Sequence, residues 1–191
     1  MNILITSGSP RKGGNTELLA DAFAKGAAEH HHVEIVFVRD YKVNPCVGCN
    51  ACFKTNGICA QKDDMVIIYE KMNQADMLVI ASPVYFYGIS AQLKVVIDRF
   101  HNPIRNTFHI KKMALLLVGA ATLPELFDAI LTEYNLGLKF FNMEDAGKVL
   151  VRGVKDKGDI KGTSFLEDAY QLGISIGHIN MKPIPEVPSV Y

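Results

Sequence analysis

The sequence lacks an excess of charge of either sign. Its 20 Lys and Arg residues balance 20 Asp and Glu residues, so the formal net charge is zero, and the two signs are mixed along the chain. A nucleic-acid footprint or a basic membrane patch needs clustered positive charge. We therefore expect neither nucleic acid nor a membrane as a partner, and small molecules become the expected ligands.

Long apolar runs and targeting signals are lacking too. The longest apolar run, Met113 to Ala121, is far too short to span a bilayer, and the N-terminus MNILITSGSP has neither a basic region nor a long apolar one. We find no repeat, linker or low-complexity segment. The chain has 191 residues, 49% of them hydrophobic, which suits a single α/β domain over residues 1–191. We expect this domain to be cytoplasmic.

Cysteine is lacking everywhere except in one loop, residues 44–62. Within it, Cys46, Cys49 and Cys52 form a Cys-x-x-Cys-x-x-Cys motif, and Cys59 follows further on. A reducing compartment disfavours a disulfide framework. The spacing is similar to ferredoxin-type ligation and favours a [4Fe–4S] cluster. Four other interpretations stay open: no metal at all, a zinc ion, a Cys46–Cys49 disulfide, or thiols that respond to oxidants.

The rest of the chain alternates between short apolar runs and amphipathic stretches. The predicted strands are Asn2–Thr6, Val33–Val38, Met77–Ala81, Met113–Val118 and a fifth ending at Lys148–Val151. The predicted helices are Thr16–Glu29, one that Asp63 and Asp64 start and that runs to Ala75, Ser90–Phe100, Leu123–Leu136 and Ser164–Gly177. Five such units predict a doubly wound, three-layer α/β/α fold with a parallel sheet in the order 2-1-3-4-5. Ligands then bind at the carboxyl ends of strands 1 and 3.

The loop after strand 1, SGSPRKGGNT, has the composition of a phosphate cradle. Its glycines let the backbone approach a ligand, and the free N–H groups of the helix that follows favour an anion. The candidate phosphate-binding residues are Ser7, Ser9, Arg11, Asn15 and Thr16. A Walker loop would need Lys and then Ser or Thr directly after Gly13, but this chain has Gly14 and Asn15 there. The dinucleotide-binding fingerprint is excluded because Pro10 stands in place of its second glycine. A plain Gly/Ser-rich connection stays the alternative.

The loop after strand 3 places aromatic side chains beside the same crevice. Apolar rings in a connecting loop favour a flat ligand, although packing over the sheet edge would also account for them. The candidate ring-binding residues after strand 3 are Pro83, Tyr85, Phe86 and Gly88. After strand 4, the small residues Gly119 and Ala120 would let the other side of a ring lie against the backbone. An anion site and a flat-ring site at one switch point together outline FMN.

Three segments, Gly8–Thr16, Pro45–Met65 and Ser82–Arg99, together resemble the flavodoxin-like NAD(P)H-dependent FMN reductases, and most closely their iron–sulfur flavoprotein branch. The resemblance implies a flavodoxin-like fold, FMN as the cofactor, NAD(P)H as the co-substrate, and Val84 among the ring-binding residues. It also implies a homodimer or homotetramer. Electrons would pass from NAD(P)H through the flavin, with or without a [4Fe–4S] cluster, to a quinone, a flavin, another small-molecule acceptor or a redox protein. Because the cofactor carries this chemistry, no catalytic side chain is expected.

Two other functions stay open at this point. One is a non-enzymatic iron–sulfur flavoprotein that carries electrons between proteins, although such carriers tend to be acidic and this chain is neutral. The other is a thiol-based redox sensor that binds flavin. Finally, Pro183, Pro185 and Pro188 predict an extended C-terminal tail.

Overall fold

The structure, a computed structural model, describes residues 1–177. Its strands are β1 (Asn2–Ser7), β2 (His32–Phe37), β3 (Met77–Tyr85), β4 (Gly88–Ile89), β5 (Lys112–Val118) and β6 (Glu144–Val151). Its α-helices are α1 (Asn15–Ala27), α2 (Ala51–Lys54), α3 (Met65–Asn73), α4 (Ala91–Asp98), α5 (Asp128–Phe141) and α6 (Phe165–Ser175). Short 3₁₀ helices cover Val38–Asp40, Arg99–His101, Pro103–Thr107 and Pro124–Phe127. The tail with Pro183, Pro185 and Pro188 lies outside the described residues.

The sheet has the predicted topology. Five strands pair in parallel in the order β2-β1-β3-β5-β6, which is 2-1-3-4-5 when the parallel strands are numbered along the chain. In the register of the centre, Ile5 lies beside Ile35 of β2 and Val79 of β3. The winding direction reverses between β1 and β3, so the loops that leave these two strands border one crevice.

Helices cover both faces of the sheet, as the alternating pattern predicted. Leu4 of β1 packs in the core that α3, α4 and α5 close, whereas its neighbour Ile5 packs in the core that α1 and α6 close. The same alternation holds for Leu115 and Leu116 of β5. This two-sided burial explains why the strands are continuously apolar. Within residues 1–177, no helix is both long enough and apolar enough to cross a membrane.

The connection after β3 is a hairpin, and the sequence did not predict it. β3 continues to Tyr85, and β4 pairs antiparallel with its end through Val84–Ile89 and Tyr85–Gly88. The two tip residues, Phe86 and Tyr87, have positive φ values of 49° and 64°. Two-residue hairpins are normally announced by Asn-Gly or Asp-Gly, because bulky residues adopt positive φ at a cost. The aromatic tip therefore hid the turn from a sequence-based prediction.

The fourth predicted helix also differs in its bounds. Pro124–Phe127 forms a 3₁₀ turn, and the α-helix begins only at Asp128 and continues to Phe141, beyond the predicted end at Leu136. Asn142, in the left-handed conformation with φ of 50°, ends it. The C-terminal extension reflects the apolar Leu138 packing into the core.

Two glycines let α1 and α6 cross in direct backbone contact. A Cβ atom on Gly26 would lie 2.0 Å from the Tyr170 carbonyl oxygen, and one on Gly173 would lie 2.3 Å from the Phe23 carbonyl oxygen. No side-chain rotation can relieve a clash with backbone. We expect Gly26→Ala and Gly173→Ala each to lower the free energy of unfolding by about 1–3 kcal/mol or more, the usual range for overpacking.

A third helical glycine provides the matched control. A Cβ on Gly137, in α5, would come no closer than 3.9 Å to Met113 Cε. Gly137→Ala should therefore stabilise the protein by about 0.5–1 kcal/mol through helix propensity. Urea unfolding of the three variants measures these changes in the free energy of unfolding. Equal changes for Gly26→Ala and Gly137→Ala would contradict the close helix crossing.

Candidate functional site

A cleft opens at the carboxyl ends of β1 and β3. Its lining residues come from the loop after β1 and the start of α1, from the end of β3, from the end of β5 and its loop, and from the loop after β6. They are Ser9, Arg11, Gly14, Asn15, Thr16, Pro83, Val84, Tyr85, Val118, Ala120, Val154 and Lys155. The structure thus brings together predicted residues from both switch-point loops. One end of this cleft is polar, and the other is apolar.

The polar end is the N-terminus of α1. Gly14 is the N-cap and supplies no side-chain cap, and the first helical hydrogen bond runs from Leu18 N–H to the Gly14 carbonyl at 3.0 Å. The N–H groups of Asn15, Thr16 and Glu17 therefore lack helical partners, and the helix dipole adds positive potential. Arg11 and Lys155 bring further positive charge to the lining residues. This arrangement suits a bound phosphate.

The loop after β1 is held from two sides. Ser90 Oγ, at the start of α4, donates a hydrogen bond to the Gly8 carbonyl at 2.7 Å, and a Cβ on Gly8 would lie 2.5 Å from both Ser90 Oγ and Leu93 Cβ. On the other side Arg39 Nη1 donates to the Ser9 carbonyl at 3.2 Å, while its Nη2 pairs with Glu17 at 2.8 Å. The cradle is therefore rigid, and only glycine fits at position 8.

Asn15 lines the cleft, and its side chain also holds the loop after β6. Its Nδ2 donates to the Asp156 carbonyl at 2.8 Å, and its Oδ1 accepts the Gly158 N–H at 2.9 Å. The amide thus ties down the segment that carries Lys155, and it is already engaged. Asn15 contributes its backbone N–H to the helix N-terminus, while its side chain positions the neighbouring loop.

Four other predicted residues lie outside the cleft wall. Ser7 is fully buried, and within residues 1–177 its hydroxyl has no hydrogen-bond partner. Phe86 is 98% exposed at the hairpin tip, and Gly88 belongs to β4. Gly119 accepts the Val154 N–H through its carbonyl at 3.2 Å, so it shapes the cleft indirectly.

The sequence-based prediction missed four lining residues: Gly14, Val118, Val154 and Lys155. Gly14 belongs to the predicted loop, whose glycines let the backbone approach a ligand, but it has no side chain that would mark it as a binding residue. Val154 and Lys155 follow β6, whose carboxyl end lies two strands from β3. Only the predicted sheet order could have indicated these two residues, because no local sequence motif contains them.

A second cavity lies between the sheet and α5. Its wall is apolar apart from Glu133 and Tyr134, and it includes Met72, Phe100 and Met113. It offers no helix N-terminus and no cationic group to a phosphate. The switch-point cleft is therefore the better candidate site for an anionic, planar ligand.

The four cysteines line one depression. All four are free; Cys46 and Cys49 are exposed, and Cys52 and Cys59 are half-buried. Cys59 Sγ accepts the backbone N–H of Gln61 at 3.4 Å. Within residues 1–177, no group of three or more His, Cys, Asp or Glu side chains is arranged to hold a metal ion.

The donor set nevertheless fits an iron–sulfur cluster in kind, because four thiols line one depression. Thiolates repel one another, and metal binding supplies the free energy that gathers them around one point. The chain turns sharply enough for this at Gly48 and Asn50, which have φ values of 65° and 55°, just before α2. Ligation by these cysteines stays a prediction.

A buried ion pair anchors both ends of the cysteine loop. Arg99 Nη1 donates to Asp63 Oδ2 and to the Asn44 carbonyl, both at 2.9 Å, and Nη2 donates to Asp63 Oδ1 at 3.3 Å. Both charged side chains are 3% exposed. Asp63 also accepts the N–H groups of Asn44 and Met65. The start of α3 is therefore where the sequence predicted it, but Asp64 accepts the Lys42 N–H and gives α3 no side-chain cap.

Breaking this pair from one side should be costly. Arg99→Met leaves the Asp63 carboxylate buried without its partner, so we expect iron-free protein to lose about 3–5 kcal/mol of unfolding free energy. The double variant Arg99→Met/Asp63→Leu should regain most of it, because neither charge remains. Urea unfolding of the four members of this double-mutant cycle tests the coupling. Additive effects would show that the pair does not anchor the loop.

The same pair predicts a pH effect. Burial opposes the charged carboxylate, but the hydrogen bonds from Arg99 and from the two backbone N–H groups outweigh it and hold the pKa of Asp63 below its ordinary value of 3.8. A carboxyl with a lowered folded-state pKa stabilises the protein above its unfolded pKa and loses this contribution as the pH falls through the folded one. The stability difference between wild type and Asp63→Asn should be largest at neutral pH and shrink below 3.8. A difference that does not change with pH would contradict the assignment.

Helix α4 connects the two sites. Ser90 at its start contacts Gly8 of the phosphate loop, and Arg99 directly follows its end and contacts the cysteine loop. Its eight residues span about 12 Å at 1.5 Å per residue. The two ends of α4 therefore hold the loop after β1 and the cysteine loop.

Together, the fold and the cleft define a flavodoxin-like α/β protein in which a helix N-terminus and an apolar wall line one cleft at the switch point. The chain belongs to the NADPH-dependent FMN reductase family, whose model matches residues 1–126. This confirms the family that the sequence motifs predicted.

Individual relatives agree with this assignment. An iron–sulfur flavoprotein of Methanocaldococcus jannaschii is 44% identical over 124 residues, covering 63% of each chain, and one of Methanosarcina thermophila is 41% identical over 122 residues, covering 63% of this chain and 61% of the relative. The match therefore spans less than two thirds of these relatives' own length. An NAD(P)H:quinone oxidoreductase structure from Methanothermobacter marburgensis superposes with a TM-score of 0.74 at 17% identity, covering 95% of this chain and 99% of that one. At this identity the likeness shows the fold alone.

Proposed function

We propose that this protein is an FMN-dependent oxidoreductase that takes electrons from NAD(P)H and delivers them to a quinone, a flavin or another small acceptor. The observation that carries the proposal is the cleft itself, in which the uncapped N-terminus of α1 and the wall of Pro83, Val84 and Tyr85 line one space. FMN, when bound, supplies the chemistry of hydride acceptance and electron release.

The chain's own residues bind and orient the cofactor. The N–H groups at the start of α1, with Ser9, Thr16, Arg11 and Lys155, would hold the phosphate of FMN. Pro83, Val84, Tyr85 and Ala120 would line the ring side, and Val118 and Val154 would keep water from the ring. The rigid attachment of the loop to Ser90 and Arg39 fixes the phosphate end before binding. This reduces the ordering cost of binding. No side chain is assigned a proton-transfer role.

Two measurements on purified protein test the activity. Apoprotein should take up one FMN per chain, and the loaded protein should oxidise NADH or NADPH in steady state when a quinone or free flavin is supplied. A protein that binds no FMN would overturn the proposal, and so would one that binds FMN without oxidising either nicotinamide. Comparing NADH with NADPH at equal concentration identifies the preferred donor.

We further propose that Cys46, Cys49, Cys52 and Cys59 hold a [4Fe–4S] cluster. The shared depression and the ferredoxin-like spacing support the assignment. Anaerobic purification followed by iron, acid-labile sulfide and flavin assays tests it directly. A preparation with flavin but without iron or sulfide would overturn the cluster and leave the oxidoreductase proposal standing.

Four free cysteines also suit a reducing compartment, so we propose that the protein works in the cytoplasm.

We propose a second copy of this chain as the partner at the hairpin. Phe86 is 98% exposed at the tip after β3, next to Tyr85 of the cleft wall, and its backbone is strained. An apolar ring so placed gains stability by packing on another subunit. Light scattering of wild type and Phe86→Ser measures the oligomer. A monomeric wild type would overturn this part.

Electron transfer to a protein acceptor is the second candidate. Val47, Phe53 and Ile58 are exposed on the cysteine loop, with Val47 at 69%, and a large apolar surface beside a redox centre favours docking. A pure carrier would show almost no NAD(P)H oxidation without a separate reductase. Steady-state turnover with the purified protein alone therefore decides between the two functions.

A further inference from the structure

Arg99 brings a permanent positive charge to the cysteine depression. Among the residues of the described chain that line it, Arg99 alone carries a fixed charge, and its side chain is 3% exposed. A guanidinium does not deprotonate in proteins. Its partner Asp63 does not line this depression, although it lines a neighbouring one with Cys59. Arg99 is therefore the member of the pair that shares a depression with all four cysteines.

The guanidinium is also fixed in position. It donates to the Asn44 carbonyl before the first cysteine and to both oxygens of Asp63 after the last one. Beyond this, the Arg99 carbonyl accepts the Tyr69 hydroxyl at 2.7 Å, and the adjacent Asn102 donates to the Gly57 carbonyl at 2.8 Å. The charge is therefore tied to both ends of the loop.

A fixed buried charge acts on the redox equilibrium of a neighbouring cluster. Reduction adds one negative charge to a cluster that four thiolates already make anionic, and a nearby cation stabilises the more negative state. Because solvent scarcely reaches the Arg99 side chain, screening of its charge is weak. Cys59 lines the same depression as this guanidinium.

We propose that Arg99 raises the reduction potential of the cluster at the four cysteines, and that Asp63 sets how much of this positive charge the cluster experiences. Arg99 is a positioning residue in this role, since it acts through the cluster's surroundings and ligates nothing. The inference rests on the proposed function, because it requires the cluster. A cluster with a raised reduction potential would accept electrons more readily from the reduced flavin.

The test is a reductive titration of anaerobically purified holoprotein, followed by the electron paramagnetic resonance signal of the reduced cluster. The variants are Asp63→Asn, Arg99→Gln and the double variant Asp63→Asn/Arg99→Gln. We expect the reduction potentials to rise in the order Arg99→Gln, double variant, wild type, Asp63→Asn. Removing a negative charge and removing a positive charge should thus shift the potential in opposite directions.

Two controls separate charge from structure. Arg99→Lys keeps the charge and should return a potential close to wild type, although it loses the forked hydrogen bonds. Lys54→Gln removes an exposed positive charge from the same loop, in α2, and should shift the potential less than any change at the buried pair. A merely structural role would shift Asp63→Asn and Arg99→Gln in the same direction.

The outcomes discriminate clearly. In protein that contains the cluster, equal reduction potentials in wild type and all variants would overturn this inference. Shifts of the same sign in Asp63→Asn and Arg99→Gln would overturn it too. A wild type without iron and sulfide would overturn the cluster and this inference together. If Arg99→Gln does not fold, the order of the other three proteins still decides.

Discussion

Replacing Gly14 by aspartate is expected to abolish FMN binding without weakening the fold. Gly14 is the N-cap of α1 with φ of −77° and ψ of 171°, an extended conformation that any residue adopts. Aspartate there would accept hydrogen bonds from the free N–H groups of the first turn, which is where the phosphate has to bind. The new carboxylate would also repel the phosphate. We expect the FMN dissociation constant to rise at least about 100-fold, which corresponds to about 2.7 kcal/mol.

The stability of the apoprotein should change in the opposite direction. An N-cap aspartate is favoured over glycine by a few tenths of a kcal/mol, and its charge complements the helix dipole by about 0.3–1 kcal/mol. A Cβ at this position comes within 3.1 Å of Arg11 Cβ and 3.2 Å of the Arg11 carbonyl oxygen, so a small local shift offsets part of that gain. Thermal unfolding of apoprotein should show wild-type stability or slightly more.

Gly14→Asn is the matched control, because it adds the same cap and the same volume without the charge. It should retain more FMN affinity than Gly14→Asp. Riboflavin, which lacks the phosphate, should bind all three proteins similarly and more weakly than FMN binds wild type. Fluorescence titration of the apoproteins gives these constants. If Gly14→Asp binds FMN as wild type does, the phosphate does not lie at the α1 N-terminus.

The second large effect is expected at the cysteines. Cys49→Ser replaces a thiolate ligand with a hydroxyl that stays protonated, so the anaerobically purified variant should lose almost all its iron and acid-labile sulfide. FMN affinity should stay unchanged, since the cleft shares none of its lining residues with the cysteine depression. Cys49 is exposed, so the substitution costs little packing.

Val47→Ser supplies the control within the same loop. Val47 is 69% exposed, lines the same depression and carries no ligand atom suited to iron. The Val47→Ser variant should retain iron, sulfide and flavin. Equal iron content in Cys49→Ser and Val47→Ser would show that the four thiols do not hold the cluster.

Most of the fold could be predicted because its strands are buried on both faces. Residues such as Leu78 and Val79 face opposite cores, so the whole strand reads as an apolar run. The helices follow from their apolar stripes, and the sheet order follows from the handedness of the crossovers. The hairpin at Phe86 and Tyr87 could not be predicted, because its tip carries aromatic residues in a conformation that normally calls for Asn or Gly.

The site was predictable in its backbone features and not in its long-range side-chain contacts. The glycine-rich loop and the helix start announce an anion site through local composition. The engagement of Asn15 with the segment around Gly158 joins residues 143 positions apart, and the pair of Arg99 with Asp63 joins residues 36 positions apart. Such pairings depend on the three-dimensional placement of loops, which no local pattern encodes.

Anaerobic titration of FMN-loaded protein with NAD(P)H tests the central claim most directly. The absorbance of oxidised flavin should fall in proportion to added NADH or NADPH and return when a quinone is admitted. Protein that takes up no FMN, or whose bound flavin keeps its oxidised spectrum with both nicotinamides, would contradict the account.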